Sequence, residues 1–278
     1  LRARVRSVLL VFTGILAKEA KLLTRYVGSL FTILALPFML SGLFVGIGYA
    51  IAGPSYTANF ASNTGVQSPV LYLTLGGVLM IASMVMVENT SSVIREEQLI
   101  GTFELHYLTP NSTVAIWLLH ALAQSILLIL VFTLDLTLAV ALGGSLLTPY
   151  ECAEASLVIL LGLLPLAGLG MVVAALTMRF KEVWAVTNTV NAFVAMLSGF
   201  YYPLEVFPTV VQAVSNLLPT SHAAQILRAL VTGTASGLDF TQKILVLAAL
   251  GSVYLLLGKT VYEGWEDEAK RRGELSKY

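Results

Sequence analysis

The chain reads as an all-α, polytopic membrane protein, and three observations carry that reading. Only 12% of its 278 residues are charged and 57% are hydrophobic, where a soluble domain carries roughly 25% charged residues. The charges are clustered as well: none falls between Arg25 and Glu88, or within 105–134, 155–178 and 183–204. Each gap is close to or beyond the roughly 20 mainly apolar residues that a helical span needs. Lys and Arg together balance Asp and Glu at 16 each, so no basic excess is present to hold nucleic acid. A single cysteine, Cys152, excludes an internal disulfide.

Taken in chain order, residues 1–26 are expected to form a cytoplasmic amphipathic helix lying along the inner membrane surface. Val5, Leu9, Phe12, Leu16, Leu23 and Tyr26 keep near-helical spacing beside Lys18, Glu19, Lys21 and Arg25. RARVR followed by VLLVFTGILA also has the layout of a secretory signal peptide, but the charges that follow directly suit the interfacial helix better. Six spans are then expected within a transmembrane domain 27–262, at about 27–52, 70–87, 112–142, 155–178, 183–200 and 243–262. The first two are joined by an uncharged loop rich in Gly, Pro, Ser, Thr and Asn. The last has the shortest uncharged stretch, 244–258, which Lys243 and Lys259 could lengthen by snorkelling. Residues 263–278 form a charged cytoplasmic tail.

An even number of spans puts both termini on one side, and the positive-inside rule chooses the side. Of the 16 Lys and Arg residues, only Arg228 and Lys243 fall opposite the termini. Both termini are therefore expected in the cytoplasm, with the chain in the cell membrane. Between the fifth and sixth spans, residues 199–241 are apolar but interrupted by Pro203, Pro208 and Pro219, with Gly233 and Gly237 beyond. Two helical pieces fit, about 208–218 and 221–232, each too short to cross. This segment is read as a re-entrant or interfacial hairpin on the external face.

The inner segment 88–110 holds Glu88, Arg95, Glu96, Glu97 and Glu104. Ser91 to Leu99 is helix-compatible, Gly101 breaks the helix, and Phe103 to Leu108 makes a second short amphipathic helix ended by Pro110. A solvated connecting loop is one reading of it; a surface helix that inserts Phe103, Leu105 and Leu108 into a cleft on a cytoplasmic partner is the other. In the fifth span, Thr187, Asn188 and Asn191 are expected to share a helical face, either bonding neighbouring helices or lining a path between subunits. Gly42 and Gly46 form a GxxxG in the first span that would permit close helix contact. Asp135 is the one acid inside a span, and its position along the third span puts it near the outer surface.

Catalytic and metal chemistry find little support. His106, His120 and His222 lie far apart with no Cys or carboxylate at ligand spacing, so no metal site is expected. Gly258-Lys259-Thr260 resembles the end of a phosphate-binding loop, but the first glycine of GxxxxGK[ST] would fall at Val253. Lys259 is more simply an interfacial anchor.

The stretch Arg95-Glu96-Glu97 through Gly101-Thr102-Phe103-Glu104 to Thr109-Pro110 resembles the "ERE…GT-E-L…P" signature in the first cytoplasmic loop of ABC transporter permeases of the type-2 exporter class. Ser198-Gly-Phe-Tyr-Tyr-Pro-Leu-Glu-Val-Phe-Pro208 and Leu217-Leu-Pro-Thr220 resemble that family's external "SG-FFP…P…NP" hairpin. Two departures are an extra Leu99-Ile100 before Gly101 and Leu218 where the family often has Asn.

The resemblance implies a permease without its own motor, dimerising with a second copy or a similar permease. It would work with a separate cytoplasmic ATP-binding cassette ATPase, which would hold the ATP and Mg, and would move an amphipathic or lipid-like substrate or drug outward. On that reading Arg95, Glu96, Glu97, Gly101, Thr102, Phe103, Glu104 and Leu108 couple to the ATPase. Thr187, Asn188 and Asn191 line the path, while Phe200, Tyr201, Tyr202, Pro203, Pro208 and Pro219 form the external gate. The same aromatic residues also suit an interface belt. An anchoring or assembly protein that recruits a cytoplasmic complex without transport is the alternative function; it would need the 95–108 segment but not the polar face at Asn188 and Asn191. A lipid-modifying enzyme would need clustered acids or histidines facing one cavity, which the sequence does not offer.

Overall fold

The computed structural model describes residues 2–102, 105–106, 108–109, 112–142, 147–180, 183–233 and 237–272, with the side chains of 2–6, 177–180, 183 and 237–239 left aside. Among the described residues the chain is helical without strands. The helices are α1 (Arg2–Arg25), α2 (Val27–Ala52), α3 (Tyr56–Thr64), α4 (Pro69–Ile100), α5 (Thr113–Leu142), α6 (Pro149–Phe180), α7 (Val183–Leu197), α8 (Thr209–Ser215), α9 (Pro219–Val231) and α10 (Gly237–Arg272). Among the described residues five segments are long and apolar enough to cross a membrane: Val27–Thr64, α4, α5, Pro149–Leu176 of α6 and Phe240–Arg272 of α10. The fifth expected span, 183–200, is α-helix only to Leu197. Its 15 residues reach about 22 Å, against a hydrocarbon core of about 30 Å.

Local chemistry sets several of the helix ends. Pro69 opens α4 at a position where a missing N–H costs nothing, and the Ser68 hydroxyl accepts the Leu71 N–H at 3.3 Å. A reciprocal cap starts α6: Glu151 Oε2 accepts the Thr148 N–H at 2.7 Å, and Thr148 Oγ1 accepts the Glu151 N–H at 3.3 Å.

Helix α6 sits at the centre, packed by α4, α5, α7, α9 and α10. The core runs along α4, α5 and α6, with Val78, Met86, Phe132, Leu136, Ile159, Leu163 and Leu166 buried, and α9 adds Ala223 and Leu227. Without a strong hydrophobic drive between helices in lipid, close backbone approach has to hold such a bundle together. The α6–α10 crossing supplies it: a Cβ on Gly168 would lie 2.1 Å from the Tyr254 carbonyl oxygen, and one on Gly258 would lie 2.3 Å from the Gly168 carbonyl oxygen. Gly258, which resembles part of a phosphate loop in sequence, is thus a packing residue. Lys259 beside it pairs with Glu263 at 3.8 Å. A smaller apolar layer joins Val93 and Ile94 of α4 with Trp117, Met171 and Tyr262. By contrast α2 and α10 leave most of their apolar surface open.

Several boundaries differ from the sequence reading. The expected loop 53–68 contains α3, held by stacked rings: Tyr49–Tyr56, Tyr56–Phe60 and Phe60–Tyr72 centroids are 5.1, 5.8 and 5.4 Å apart. The segment 88–110 is not a loop from its start, because α4 continues to Ile100 with Thr90, Ser91, Val93 and Ile94 buried. In the expected hairpin, the first piece is shorter, α8, and Pro208 stands just before it. Helix α10 runs on to Arg272, so 263–272 is helix, with Glu266 buried and accepting from Thr113 Oγ1 at 2.8 Å. Asp135 does not lie at a wet surface: it is fully buried, and neither carboxyl oxygen has a partner among the described residues. Distance along a helix fixes depth but not the face, and this face of α5 points into the core.

Candidate functional site

Three sets of residues stand out, and α4 touches each. At its C-terminal end Gly101 takes φ +78°, a left-handed turn that suits glycine. The turn closes with the Gly101 N–H on the Gln98 carbonyl at 3.1 Å and the Thr102 N–H on the Glu97 carbonyl at 3.0 Å. This places the Glu97 carboxylate at a junction. Thr102 Oγ1 donates to it, Lys18 Nζ of α1 lies 3.6 Å away and His106 Nε2 lies 3.5 Å away. The His106 ring packs on Trp117 of α5 at 5.0 Å, and Trp117 Nε1 donates to the Tyr262 hydroxyl of α10 at 3.0 Å.

One carboxylate therefore links α1, the end of α4 and the segment beyond Gly101. Exposed ion pairs of this kind add about 0–1 kcal/mol, so their value here is in fixing the shape of the elbow. Glu96 faces outward and Arg95 is half-buried. Leu99, Ile100, Leu105 and Leu108 are exposed around the elbow. Phe103 and Glu104 lie outside the described residues.

Helix α1 is fastened to α5 nearby, where His120 Nε2 lies 3.1 Å from Glu19 Oε1. Burial pushes the Glu19 carboxyl up, but His120, Lys18 and Gln124 together outweigh it and hold the group below its ordinary value.

The second set lies on α7. Thr187 Oγ1 meets Ser91 Oγ of α4 at 3.1 Å, and Asn191 is buried on the same side with its Oδ1 unpartnered among the described residues. Asn188 does not join them and is exposed. Successive helical residues point about 100° apart, and only the 187/191 side of α7 packs on α4 and α6.

The third set is at the opposite end of α4. Gly199 turns with φ +66°, and Arg228 of α9 donates through Nη1 to the Gly199 carbonyl at 3.0 Å and through Nη2 to the Phe200 carbonyl. The same guanidinium sits 3.7 Å from the centre of the Tyr72 ring on α4. The turn presses so closely on α4 that a Cβ on Gly76 would fall 1.6 Å from the Phe200 carbonyl oxygen. Phe200 is fully buried, Tyr201 stacks on Phe44 of α2 at 4.6 Å, and the Tyr202 hydroxyl donates to the Met196 carbonyl. Ser198 and Thr220 share a hydrogen bond that ties the start of the turn to α9. Pro203 is extended, and Pro219 occupies the first turn of α9.

Arg228, Tyr72 and Gly76 were not singled out from the sequence as site residues. The available signal was that Arg228 is one of only two cations that the positive-inside reading puts opposite the termini, where a charge needs a partner. A Cβ on Gly42 or Gly46 would meet nothing within 4 Å among the described residues, so their GxxxG does not pack a helix there and its face of α2 is open.

A family model described as ABC-2 type transporter matches residues 12–232. A curated relative, "Putative transport permease YvfS" of Bacillus subtilis (strain 168), is 27% identical over 140 residues. That match covers 50% of this chain and 56% of the relative, so little more than half the length of that protein is spanned.

Proposed function

The chain belongs to the ABC-2 type transporter family as a multi-pass transmembrane transporter subunit, and we propose that it is the permease of an ATP-driven exporter. Two copies, or this chain with a similar permease, work with separate cytoplasmic ATP-binding cassette ATPases that hold ATP and Mg. The substrate is an amphipathic or lipid-like molecule or drug. Both termini and the Glu97 elbow face the cytoplasm in the cell membrane. Helix α7 with the residues just after it completes a sixth span, and residues 199–233 form the external re-entrant hairpin, which ends before the expected 241 because α10 starts at Gly237.

The observation that supports this reading is the reach of α4. From Tyr72 to Glu97 it spans about 38 Å at 1.5 Å per residue, and along it lie the Arg228-held turn, the Ser91–Thr187 bond and the elbow. A displacement delivered at Leu99, Ile100, Leu105 and Leu108, the exposed apolar tip, is transmitted by a continuous helix to α7 and to the outer turn. Interaction with the ATPase does work only if its ATP-bound form contacts the two states of the bundle differently. The path lies between copies along α2 and α7, whose outward faces carry Gly42, Gly46 and Asn188. Phe200, Tyr201 and Tyr202 close its outer end.

Co-purification with the ATPase encoded beside it, followed by a hydrolysis assay, tests the proposal. Glu97→Gln should lower transport-coupled ATPase activity by about threefold or more while membrane insertion stays intact, since lost elbow geometry costs coupling rather than stability. Unchanged coupling, or labelling of Leu108→Cys from outside intact cells, would overturn it.

A further inference from the structure

A cavity of about 540 Å³ opens where α1 meets α2, α4 and α5. Its volume is in the range of small-molecule sites. Leu22, Leu23, Ile33, Val85, Leu127 and Leu128 give it apolar walls. Its polar groups are the Glu19 and Glu88 carboxylates, the Gln124 and Asn89 amides and the Ser29 and Tyr26 hydroxyls, and among the described residues no Lys, Arg or His lines it, so its formal charge is negative.

Glu19 is already engaged, with His120 at 3.1 Å and Lys18 at 3.9 Å. Glu88 has no ion pair among the described residues, and Gln124, which is only 7% exposed, has its Oε1 without a partner. A buried amide oxygen left unpaired costs about 1–3 kcal/mol, and a ligand that donates to it recovers that cost. Carboxylates repel an anionic head, while a neutral apolar molecule would leave Gln124 unsatisfied. What complements two free acceptors set in leucine walls is a positively charged donor on an apolar chain.

We propose that this cavity is a binding site for an ammonium-headed amphiphile, with the ammonium group between Glu88 and Gln124 and the chain along Leu127 and Leu128. No residue assigned above to the path, the elbow or the outer turn lines the cavity, so the proposal stands without that reading. The ammonium comes either from a lipid headgroup or from a free cationic amphiphile.

The test is a titration of the purified full-length protein in dodecyl maltoside with hexadecylammonium, whose head carries three N–H donors, read as bound adducts by native mass spectrometry, with hexadecyl sulfate as the anionic control. The wild type should retain the cation saturably and the sulfate not at all. Glu88→Gln and Gln124→Met should each weaken retention about tenfold, as loss of one charged or buried polar contact does. The second variant keeps side-chain volume, so it remains informative if the first folds poorly. Equal retention of cation and sulfate, or wild-type affinity in folded forms of both variants, overturns the proposal. Displacement of the cation by phosphatidylethanolamine identifies a lipid headgroup as the source; retention in its presence identifies a free amphiphile.

Discussion

Arg228 offers the sharpest check on how the outer turn is held. Replacing it with Leu removes two donor contacts, to the Gly199 and Phe200 carbonyls, and the cation over the Tyr72 ring. Hydrogen bonds inside membrane proteins average about 0.6 kcal/mol, and those to charged groups in proteins about 1.5–3 kcal/mol, so about 1 kcal/mol each is a conservative choice. A partly desolvated cation–π contact adds about 1 kcal/mol. The total, about 3 kcal/mol, corresponds to roughly 150-fold in the opening equilibrium of the turn. Hydrogen–deuterium exchange of the peptide covering 198–208 reads that equilibrium directly. Arg228→Leu should speed exchange there by one to two orders of magnitude and leave the elbow peptide unchanged. Arg228→Lys should fall between, because an ammonium lacks the planar fork that reaches both carbonyls. If exchange at 198–208 changes by less than about threefold in Arg228→Leu, the turn is held by packing alone and the assignment fails.

Three further outcomes can be checked independently. Tyr201→Ala removes a ring stacked at 4.6 Å on Phe44; an aromatic pair worth about 0.5–1.5 kcal/mol predicts roughly two- to tenfold more basal leak in proteoliposomes, and an unchanged leak removes Tyr201 from the gate. Gly258→Ala inserts a methyl group 2.3 Å from the Gly168 carbonyl oxygen and should cost about 1–3 kcal/mol in thermal unfolding, whereas Gly46→Ala, with open space around it, should not. Because the Glu19 carboxyl is held below its ordinary 4.5, its contribution to stability is present above that value and is lost as pH falls through the lower folded value. Melting temperature should therefore drop between about pH 5 and pH 3, and Glu19→Gln should flatten that part of the profile; an identical acid slope in the variant refutes the role.

What could be read from the sequence followed from the range of the interactions involved. Apolar run length alone located the cores of α2, α4, α5 and α6, because lipid demands it. The extension of α4 was less legible: Asn89-Thr90-Ser91-Ser92 has loop composition, yet Thr90 Oγ1 bonds back to the Met86 carbonyl at 2.8 Å and Ser91 Oγ to the Glu88 carbonyl at 3.0 Å. Hydroxyls satisfied by their own helix can be buried without breaking it. Gly101 was visible as a stop because its reason is local. The partners of Arg228 were not, since they lie 28 and 29 residues earlier and are backbone atoms. Asn188 was misplaced on a shared face because spacing restricts residues to an arc and only the neighbours of α7 decide which part of it is covered.

The glycine-lined crossing of α6 and α10 has a mechanical consequence. Where two backbones nearly touch, neither can slide or roll without a steric clash, so the pair behaves as one stiff plank. Motion imposed on the protein must then be taken up by the helices outside that pair, α4 and α7 among them. Tethering Pro165 to Gly251 with a short bifunctional linker through introduced cysteines should leave turnover intact, while a tether between α2 and α4 should arrest it.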